Sequence, residues 1–399
     1  MYKKALYLSG APRVTLRSEA ENIAARSHIL GVINGFNNEG FKVDKYIVGD
    51  KLPSFFSNEG SENITRKNNV SRISADIIRI GLRYLSRGGL RFNKNINKYD
   101  LVYERFALMQ SLGKFFKKKY GVLWILETNA ILSSEASKES NTLFFNNVSY
   151  KFEKKAYEDC DYLVCVTNAL KDQIVDEFGI SSEKIIVMRN GVDVKKFIPK
   201  NSSDFNDKDF VIGYLGSITS WSCLEILIQA LYQIKNNFKQ NIKLEIIGDG
   251  PLKNDLEKLV NDKSLQNNVE IFGRIEQEQV PEYAKNFSIA YCNSVHGSLG
   301  KKTYGSPMKL YEYMAMGIPV LGGKFEDTEL LVKENETGFL FDWNDENDLV
   351  RVIMNAIQEK ERLHEMGMNA RSSIEQNHSW EARVGDLIKE INDREKTKI

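Results

Sequence analysis

Apolar runs of strand length alternate with amphipathic stretches of helical spacing along most of the chain. In the first half, the strand-like runs cover residues 3–9, 42–48, 100–106, 122–127, 162–166 and 184–188. Residues 198–209 are polar and carry no apolar period. Strand-like runs then resume at residues 210–215, 244–247, 269–272 and 289–292. Strands that alternate with helices favour parallel sheets covered by helices, so the pattern predicts an α/β fold in two parts.

A loop, a helix and a strand are predicted in succession over residues 303–320. Gly305, Ser306 and Pro307 predict the loop, and Gly317 predicts the end of the helix. Free N–H groups and the helix dipole make such a helix start a suitable place for an anion. The alternative is an ordinary loop–helix–strand unit without a ligand.

Two charged residues of this helix favour the ligand interpretation. Lys309 lies in the first turn, where a positive charge is unfavourable for the helix dipole and so indicates an anionic partner. Glu312 lies one turn further on, within reach of the hydroxyl groups of a bound sugar. A solvated carboxylate is the alternative for Glu312.

Further candidate site residues lie at the ends of two predicted strands of the first half. Gly10 follows the first strand, and Glu127 and Asn129 share one face at the end of the strand 122–127 because side chains alternate along a strand. The carboxyl ends of parallel strands face the ligand crevice in open α/β sheets. Glu127 and Asn129 are therefore candidate site residues, with a capped helix start as the alternative.

The stretch between residues 66 and 119 is strongly basic, with fourteen Lys and Arg against three Asp and Glu. On a helical wheel, Arg72, Arg79 and Arg83 share one edge of a predicted helix with isoleucines beside them. Lys117 and Lys118 belong to a second basic cluster. Positive charge interleaved with apolar residues suits an anionic membrane surface or a lipid diphosphate. The alternative is a solvated helix face.

Composition adds a few exclusions. The 399 residues are 42% hydrophobic and 27% charged, as in globular proteins, and a net charge of +1 gives no reason to expect nucleic acid. Four cysteines and four histidines show neither a disulfide framework nor metal-ligand spacing, so we expect a reducing cytoplasm and no metal. The first apolar run is too short for a signal peptide, and no run approaches a membrane helix. Asp159 and Asp161 form an Asp-x-Asp that we interpret as structural.

Three motifs in this two-part pattern resemble the family 4 glycosyltransferases with the GT-B fold. They are Asn-Gly-Val-Asp at 190–193, Gly-Asp-Gly-Pro at 248–251, and Ser-Pro-x-Lys-x-x-Glu-Tyr-Met-Ala-x-Gly-x-Pro-Val from Ser306. The resemblance extends from residue 1 to about 395, and Gly-Ala-Pro-Arg and Leu-Glu-Thr-Asn-Ala are similar to bacterial members that build surface polysaccharides. It implies two Rossmann-like parallel-sheet domains that face a cleft. The implied parts are an acceptor domain at 1–197, a nucleotide-sugar domain at 198–376, and a helix at 377–399 that packs back on the first domain.

The resemblance also implies an activity. Members transfer a sugar with retention from a nucleotide sugar, here a UDP- or GDP-sugar, without a metal or another cofactor. The implied acceptor is a saccharide or a lipid-linked saccharide, and the implied place is the cytoplasm or the cytoplasmic face of the inner membrane. No nucleic acid partner is implied.

The family's functional positions map onto residues of this chain. Glu312 would bind the donor ribose, Lys309 and the backbone at Gly305, Ser306 and Pro307 would hold the diphosphate, and Glu127 and Asn129 would lie near the transferred sugar or acceptor. The remaining donor-binding positions would be Gly10, Gly216, Ser217 and Arg274, the last flanking the base.

Two departures from the family pattern keep alternatives open. Many members have a first glutamate where this chain has Tyr304, and many have an Arg and a Lys after the loop at Gly216, where this chain has neither. Lys309, and after it Lys301 or Lys302, would then meet the charge of the diphosphate. A sugar-nucleotide epimerase of the same shape and a non-catalytic GT-B scaffold are the alternative functions.

Overall fold

The computed structural model describes residues 3–17, 23–53, 68–91, 99–139, 141–199, 210–276, 279–294 and 305–397. The chain divides into two compact units. Residues 1–189 and 380–399 form the first unit, and residues 190–379 form the second. Most of the predicted polar linker, at 200–209, lies outside the described residues.

The first unit is a parallel sheet with helices on its faces. Its strands are β1 (Lys3–Ser9), β2 (Phe41–Ile47), β3 (Leu101–Arg105), β4 (Leu123–Thr128), β5 (Tyr162–Cys165) and β6 (Ile185–Val187). Its helices are α1 (Ile23–Asn38), α2 (Asn69–Arg91), α3 (Gly113–Tyr120), α4 (Leu132–Ser134), α5 (Asn146–Asp159), α6 (Asn168–Phe178) and, from the end of the chain, α14 (Trp380–Lys396). The strand order is β2-β1-β3-β4-β5-β6. β2 is added on one side of β1, and β3 and the later strands are added on the other side. The order of strands therefore reverses between β1 and β3, and the carboxyl ends of these two strands flank the expected ligand crevice.

The second unit is also a parallel sheet covered by helices. Its strands are β7 (Phe210–Leu215), β8 (Ile242–Ile247), β9 (Val269–Gly273), β10 (Ile289–Cys292), β11 (Val320–Gly323) and β12 (Gly338–Phe341). Its helices are α7 (Leu224–Gln233), α8 (Lys253–Asp262), α9 (Val280–Ala284), α10 (Met308–Ala315), α11 (Glu326–Leu331), α12 (Glu346–Gln358) and α13 (Leu363–Asn377). The strand order is β12-β11-β10-β7-β8-β9. The reversal here lies between β7 and β10, which places the loop before α10 at the expected crevice.

Burial explains the apolar character of these strands. Every residue of β5 and of β10 is buried, because helices cover both faces of each parallel sheet. The α/β prediction with two parallel sheets is therefore confirmed. Among the described helices, none combines the length and the apolar character that crossing a membrane requires.

Buried carboxylates fix the starts of three helices in the first unit. The side chain of Glu104 accepts hydrogen bonds from the backbone N–H groups of Leu112 and Gly113, at 2.6 and 2.8 Å, where α3 begins. Glu153 does the same at the start of α4, and Asp76 at the start of α5. Helix starts leave N–H groups without a helical partner, so these carboxylates satisfy them and favour the helix dipole.

Asp159 and Asp161 take part in structural contacts, as interpreted from the sequence. Asp159 pairs with Lys114, and Asp161 accepts a hydrogen bond from the backbone of Trp124 at 2.8 Å and pairs with Lys117 at 2.8 Å. Lysines and backbone thus meet both charges. The described ranges contain no group of three or more His, Cys, Asp and Glu side chains placed to hold a metal ion.

The tail helix α14 packs closely on α1 within the first unit. A Cβ on Gly31 would lie 2.3 Å from Nε1 of Trp380, and one on Gly35 would lie 2.5 Å from Cγ2 of Val384. The two glycines therefore let the helices approach. The ring of Trp380 also meets the ring of His28 edge-on, with centroids 4.9 Å apart.

In the second unit, a buried arginine ties the start of the unit to α10. Arg371 of α13 donates to the carbonyls of Phe197 and Ala315 at 2.5 Å each and to that of Val194 at 2.9 Å. One guanidinium thus satisfies three backbone acceptors that belong to two separate segments. This contact fixes the carboxyl end of α10, whose other end carries the candidate anion site.

Candidate functional site

Glycine turns after β7 and β8 form one side of the crevice in the second unit. Gly216 and Gly248 have φ angles of +131° and +157°, which L side chains rarely adopt. A Cβ on Gly248 would lie 1.8 Å from the carbonyl oxygen of Gly216. The two turns touch through their backbones, so Gly248 leaves no room for a side chain.

The buried carboxylate of Asp327 holds the loop before α10 in place. The hydroxyl of Ser306 donates to Asp327, and the hydroxyl of Tyr311 donates to the same carboxylate at 2.8 Å. The amide of Asn190 donates to the carbonyl of Ser306 at 2.5 Å. Pro307, the residue before α10, has extended backbone. The loop predicted from Gly305 to Pro307 is therefore held in a fixed shape at the helix start.

Lys309 and Gly216, which the sequence linked only through the resemblance, lie together. The Lys309 Nζ atom would be 3.0 Å from a Cβ on Gly216. The same amine donates to the hydroxyl of Tyr214 at 2.7 Å and lies 4.0 Å from the centre of its ring. The first turn of α10 thus sets a cation directly against the turn after β7.

Glu312 follows on the same helix and has an unusual ionisation. Part of its side chain stays exposed. Desolvation by the surrounding fold raises the pKa of Glu312 to about 7, and the positive charges of Lys196 and Lys309 oppose the rise. A carboxylate in this state gains from hydrogen-bond donors, such as hydroxyl groups, that a ligand brings.

The other donor-side candidates lie at the same edge of the sheet. Ser217 is exposed, and its carbonyl accepts a hydrogen bond from the hydroxyl of Tyr214 at 2.8 Å. Arg274 is exposed and follows Gly273, whose carbonyl accepts from the N–H of Gly248 at 2.8 Å. Lys301, Lys302 and Tyr304, which the sequence analysis named, lie outside the described part of the chain.

A buried polar network surrounds Glu127 in the first unit. The imidazole Nε2 of His28 lies 2.8 Å from Oε1 of Glu127, and Arg105 lies 3.1 Å from Nδ1 of His28 and 3.4 Å from the same carboxylate oxygen. In the amide orientation that satisfies both ends, Asn129 donates to Glu127 at 2.9 Å and accepts from Arg105 at 2.7 and 2.8 Å. Strand register explains the meeting, since Arg105 of β3 pairs with Glu127 of β4.

The ionisation of this network follows from its burial. Burial lowers the pKa of His28 well below its ordinary value, and Arg105 adds repulsion, so the imidazole is neutral. Its Nε2–H then donates to Glu127, and its Nδ1 accepts from Arg105. Burial raises the pKa of Glu127, and Arg105 opposes that rise. Glu127 is 1% exposed, whereas Arg105 is 19% exposed and so can reach a ligand.

Sequence reasoning found Glu127 and Asn129 but missed His28 and Arg105. A signal for Arg105 was present, because it is a charged residue at the carboxyl end of a predicted central strand. His28 gave none, since it is a single histidine within a helical stretch and its partners lie on other elements. Gly10 lies at the same strand ends, and a Cβ there would be 2.8 Å from the Cβ of Gln110.

The arginine edge of α2 faces the body of the first unit. Arg79 donates to the carboxylate of Asp76 at 2.5 Å and to the carbonyl of Thr142 at 3.3 Å. The guanidinium of Arg83 lies 4.4 Å from the ring centre of Phe152, and burial lowers the pKa of Arg83 to about 10. Acceptors and an aromatic ring thus draw Arg79 and Arg83 toward the body of the first unit.

The remaining basic candidates differ in their surroundings. Arg72 is partly buried on the same edge of α2. Lys117 pairs with Asp161 and donates to the carbonyl of Asp159 at 2.7 Å, so its charge is compensated within the fold. Lys118 is exposed. A membrane or acceptor role for these residues stays a prediction.

Family comparisons agree with the two-unit division. The sequence model of the family described as "Glycosyltransferase Family 4" matches residues 25–196, and that of "Glycosyl transferases group 1" matches residues 195–373. The chain belongs to glycosyltransferase family 4. It is therefore a transferase, and the resemblance drawn from its motifs is confirmed.

Relatives of this family 4 glycosyltransferase include bacterial proteins of polysaccharide synthesis. UDP-Gal:alpha-D-GlcNAc-diphosphoundecaprenol alpha-1,3-galactosyltransferase of Escherichia coli is 26% identical over 307 residues, which cover 74% of this chain and 75% of the relative. The putative colanic acid biosynthesis glycosyltransferase WcaL of Escherichia coli K12 is 27% identical over 213 residues, which cover 53% of this chain and 51% of the relative.

Solved structures share the fold of this family 4 glycosyltransferase. Sucrose-phosphate synthase from Thermosynechococcus elongatus has a TM-score of 0.70 at 15% identity, covering 99% of this chain and 100% of its own. HepE of Anabaena in complex with UDP has a TM-score of 0.67 at 16% identity, covering 98% of this chain and 100% of its own. The likeness confirms the predicted GT-B fold.

Proposed function

We propose that this glycosyltransferase moves a sugar, with retention, from a nucleotide diphosphate sugar to a lipid-linked saccharide. The observation that carries the proposal is the amine of Lys309 set against the turn at Gly216, with Glu312 one turn along the same helix. A cation, a tight backbone turn and a carboxylate suit a diphosphate joined to a ribose. The name of the Escherichia coli relative, with its UDP-sugar and diphosphoundecaprenol acceptor, supports both substrate classes.

On the donor side, the reaction requires stabilisation of a departing diphosphate. The bond between the anomeric carbon and the phosphate oxygen breaks, and negative charge builds up on that oxygen. Lys309 and the N–H groups at the start of α10 are fixed before the reaction, so they stabilise this charge without reorganisation. These groups supply the positive potential from the protein itself, and the proposal invokes no metal or further cofactor.

On the acceptor side, we assign ligand contact to Arg105 and positioning to its partners. Glu127 is almost fully buried, and its Oε1 atom already accepts from His28, so it acts through Arg105. Arg105 carries five N–H donors in a planar fork, and the contacts with His28, Glu127 and Asn129 orient that fork. The acceptor hydroxyl attacks the face that the diphosphate leaves, and the leaving phosphate oxygen takes its proton.

A ligand panel followed by a transfer assay tests the proposal. Thermal unfolding is measured with UDP, GDP and their sugars, and a ligand at 100 times its Kd is expected to stabilise the protein by about 2.7 kcal/mol. The ligand that stabilises most is then supplied with a lipid-linked saccharide, and transfer is followed by mass spectrometry. Lys309→Ala is expected to remove both effects, whereas Lys333→Ala, an exposed lysine in the same unit, keeps them.

Four results would overturn the proposal or its site. If no nucleotide or nucleotide sugar stabilises the protein, the donor site is wrong. If a nucleotide sugar binds but no transfer follows, the protein is a non-catalytic scaffold. Conversion of the donor to an isomer without an acceptor would make the protein an epimerase. Equal activity of Lys309→Ala and the native protein would refute the site itself.

A further inference from the structure

The outward face of α2 is covered by large apolar side chains. Val70, Ile77, Ile78, Tyr84 and Leu85 are between 46% and 73% exposed. With a turn of 100° for each residue, all five fall within a sector of about 120° on one side of the helix. We call this sector the apolar face of α2.

The rest of the apolar face carries no charge. Ser74, Gly81 and Gly88 are its other residues. A Cβ added to Gly81 or to Gly88 would meet no heavy atom of the described residues within 4 Å, apart from the helix itself and chain neighbours. Within the described part of the chain the face is thus open along its length, and open apolar surface of this kind marks a protein or membrane interaction site.

Exposed apolar side chains also lie at the start of α5, a segment that α2 contacts. Phe144 and Val148, at the start of α5, are each 40% exposed. Asp76 of α2 accepts a hydrogen bond from the N–H of Phe144 at 2.9 Å, which fixes the start of α5 beside α2. The contact holds the start of α5 against α2.

The charges around this face favour an anionic partner over a second copy of the chain. The helix α2 has five arginines and one acidic residue, Asp76, which is buried under the start of α5. The helix α3 has four lysines and no carboxylate; Lys114 and Lys117 pair with Asp159 and Asp161, whereas Lys118 and Lys119 are exposed. Arg87 of α2 donates to the carbonyl of Ser111 just before α3, so α2 and α3 together keep a net positive charge. A second copy of the chain docked through the same face would bring two basic helices together, which like charges oppose. An anionic surface meets no such repulsion.

We propose that the apolar face of α2, together with Phe144 and Val148, docks on a lipid bilayer that contains anionic headgroups. The aliphatic side chains and Tyr84 enter the interface, and the net positive charge of α2 and α3, including the exposed Lys118 and Lys119, attracts the headgroups. The inference rests on the proposed function in one respect, since a lipid-linked acceptor reaches the protein from such a surface. In this proposal the apolar face of α2 enters the membrane, and the arginine edge lies on the opposite side of the helix.

Sedimentation of the full chain with vesicles tests this docking. Vesicles hold either 70% phosphatidylcholine with 30% phosphatidylglycerol or phosphatidylcholine alone. The native protein is expected to sediment with the anionic vesicles and at least tenfold less with the neutral ones. Ile78→Asp combined with Leu85→Asp is expected to lower binding to anionic vesicles at least tenfold, because two charges then enter the apolar sector. The control Leu330→Asp, on an exposed apolar residue of α11, is expected to bind as the native protein does.

Folding and function are monitored in parallel. The double variant is expected to keep the native melting temperature and the native stabilisation by a nucleotide sugar, since both residues lie on the surface. Absence of native binding to anionic vesicles, or unchanged binding of the double variant, would overturn the inference. A native dimer that the double variant converts to a monomer would identify a second copy as the occupant and overturn it as well. Failure of the proposed function would instead appear as loss of transfer or of nucleotide binding in the native protein, whatever the vesicles show.

Discussion

The ionisation of Glu312 gives a pH dependence of donor binding that can be worked out in advance. The pKa of Glu312 is raised to about 7 in the free protein by desolvation. If ribose hydroxyls donate to the ionised carboxylate, the pKa falls in the complex, and binding below pH 7 releases a proton. Affinity for the nucleotide sugar therefore rises with pH.

The magnitude follows from the fraction of the carboxylate that is ionised. With a pKa of about 7, the apparent Kd is raised by a factor of about 11 at pH 6 and of about 1.1 at pH 8. Affinity should therefore increase about tenfold between pH 6 and pH 8, which corresponds to about 1.4 kcal/mol. Most of the change falls between pH 6 and pH 7.

Isothermal titration calorimetry with a UDP-sugar or GDP-sugar at several pH values measures this slope. A nucleotide sugar is preferred to UDP, because its esterified diphosphate has no ionisation in this range. Glu312→Gln keeps the size of the side chain but cannot ionise, so its affinity should be lower and independent of pH. A flat profile for the native protein, or an equal slope in Glu312→Gln, would refute the ribose assignment.

Two further predictions concern other parts of the molecule. Arg105→Lys is expected to lower kcat/KM for the acceptor about 100-fold, or about 2.7 kcal/mol, while donor affinity changes less than twofold; an equal loss in donor affinity would contradict an acceptor-side role. Arg371→Ala is expected to destabilise the second unit by about 3 kcal/mol, because buried carbonyls lose their donor. Arg371→Lys should rescue little of this, since one amine cannot replace the fork that reaches three carbonyls. Thermal unfolding measures both variants, and a melting temperature equal to that of the native protein would refute this account.

Local signals were sufficient to predict the loop and the helix at 303–320. The stretch at 303–320 predicted a loop, a helix and a stop at Gly317, and α10 runs over Met308–Ala315 with Gly317 at a φ of +67°. Gly317 is suited to that left-handed conformation, so the helix end could be predicted from the residue type. The approach of Lys309 to Gly216 could not be derived from such signals. It depends on strand order in the sheet, and only the family resemblance indicated it.

Other features depend on tertiary contacts that the sequence pattern does not show. Periodicity predicted the helix α2 and its arginine edge, but it does not show which edge meets the protein. Asp76, Thr142 and Phe152 lie at distant positions of the chain, and they draw the arginines inward. His28 was missed for the same reason, because its partner Glu127 is on a different element. Polar groups that meet across a fold leave no pattern in their own segments.

The packing of Trp380 on α1 has a practical consequence for anyone who divides this enzyme. A fragment ending at residue 189 would retain all six described strands of the first sheet and yet lack α14. It would expose the groove lined by Gly31 and Gly35, and it would remove the ring that rests on His28. His28 in turn holds Glu127, so the final helix acts as a support for the acceptor-side network. Tags or deletions that unwind the last helix should therefore disturb chemistry assigned to residues far earlier in the chain.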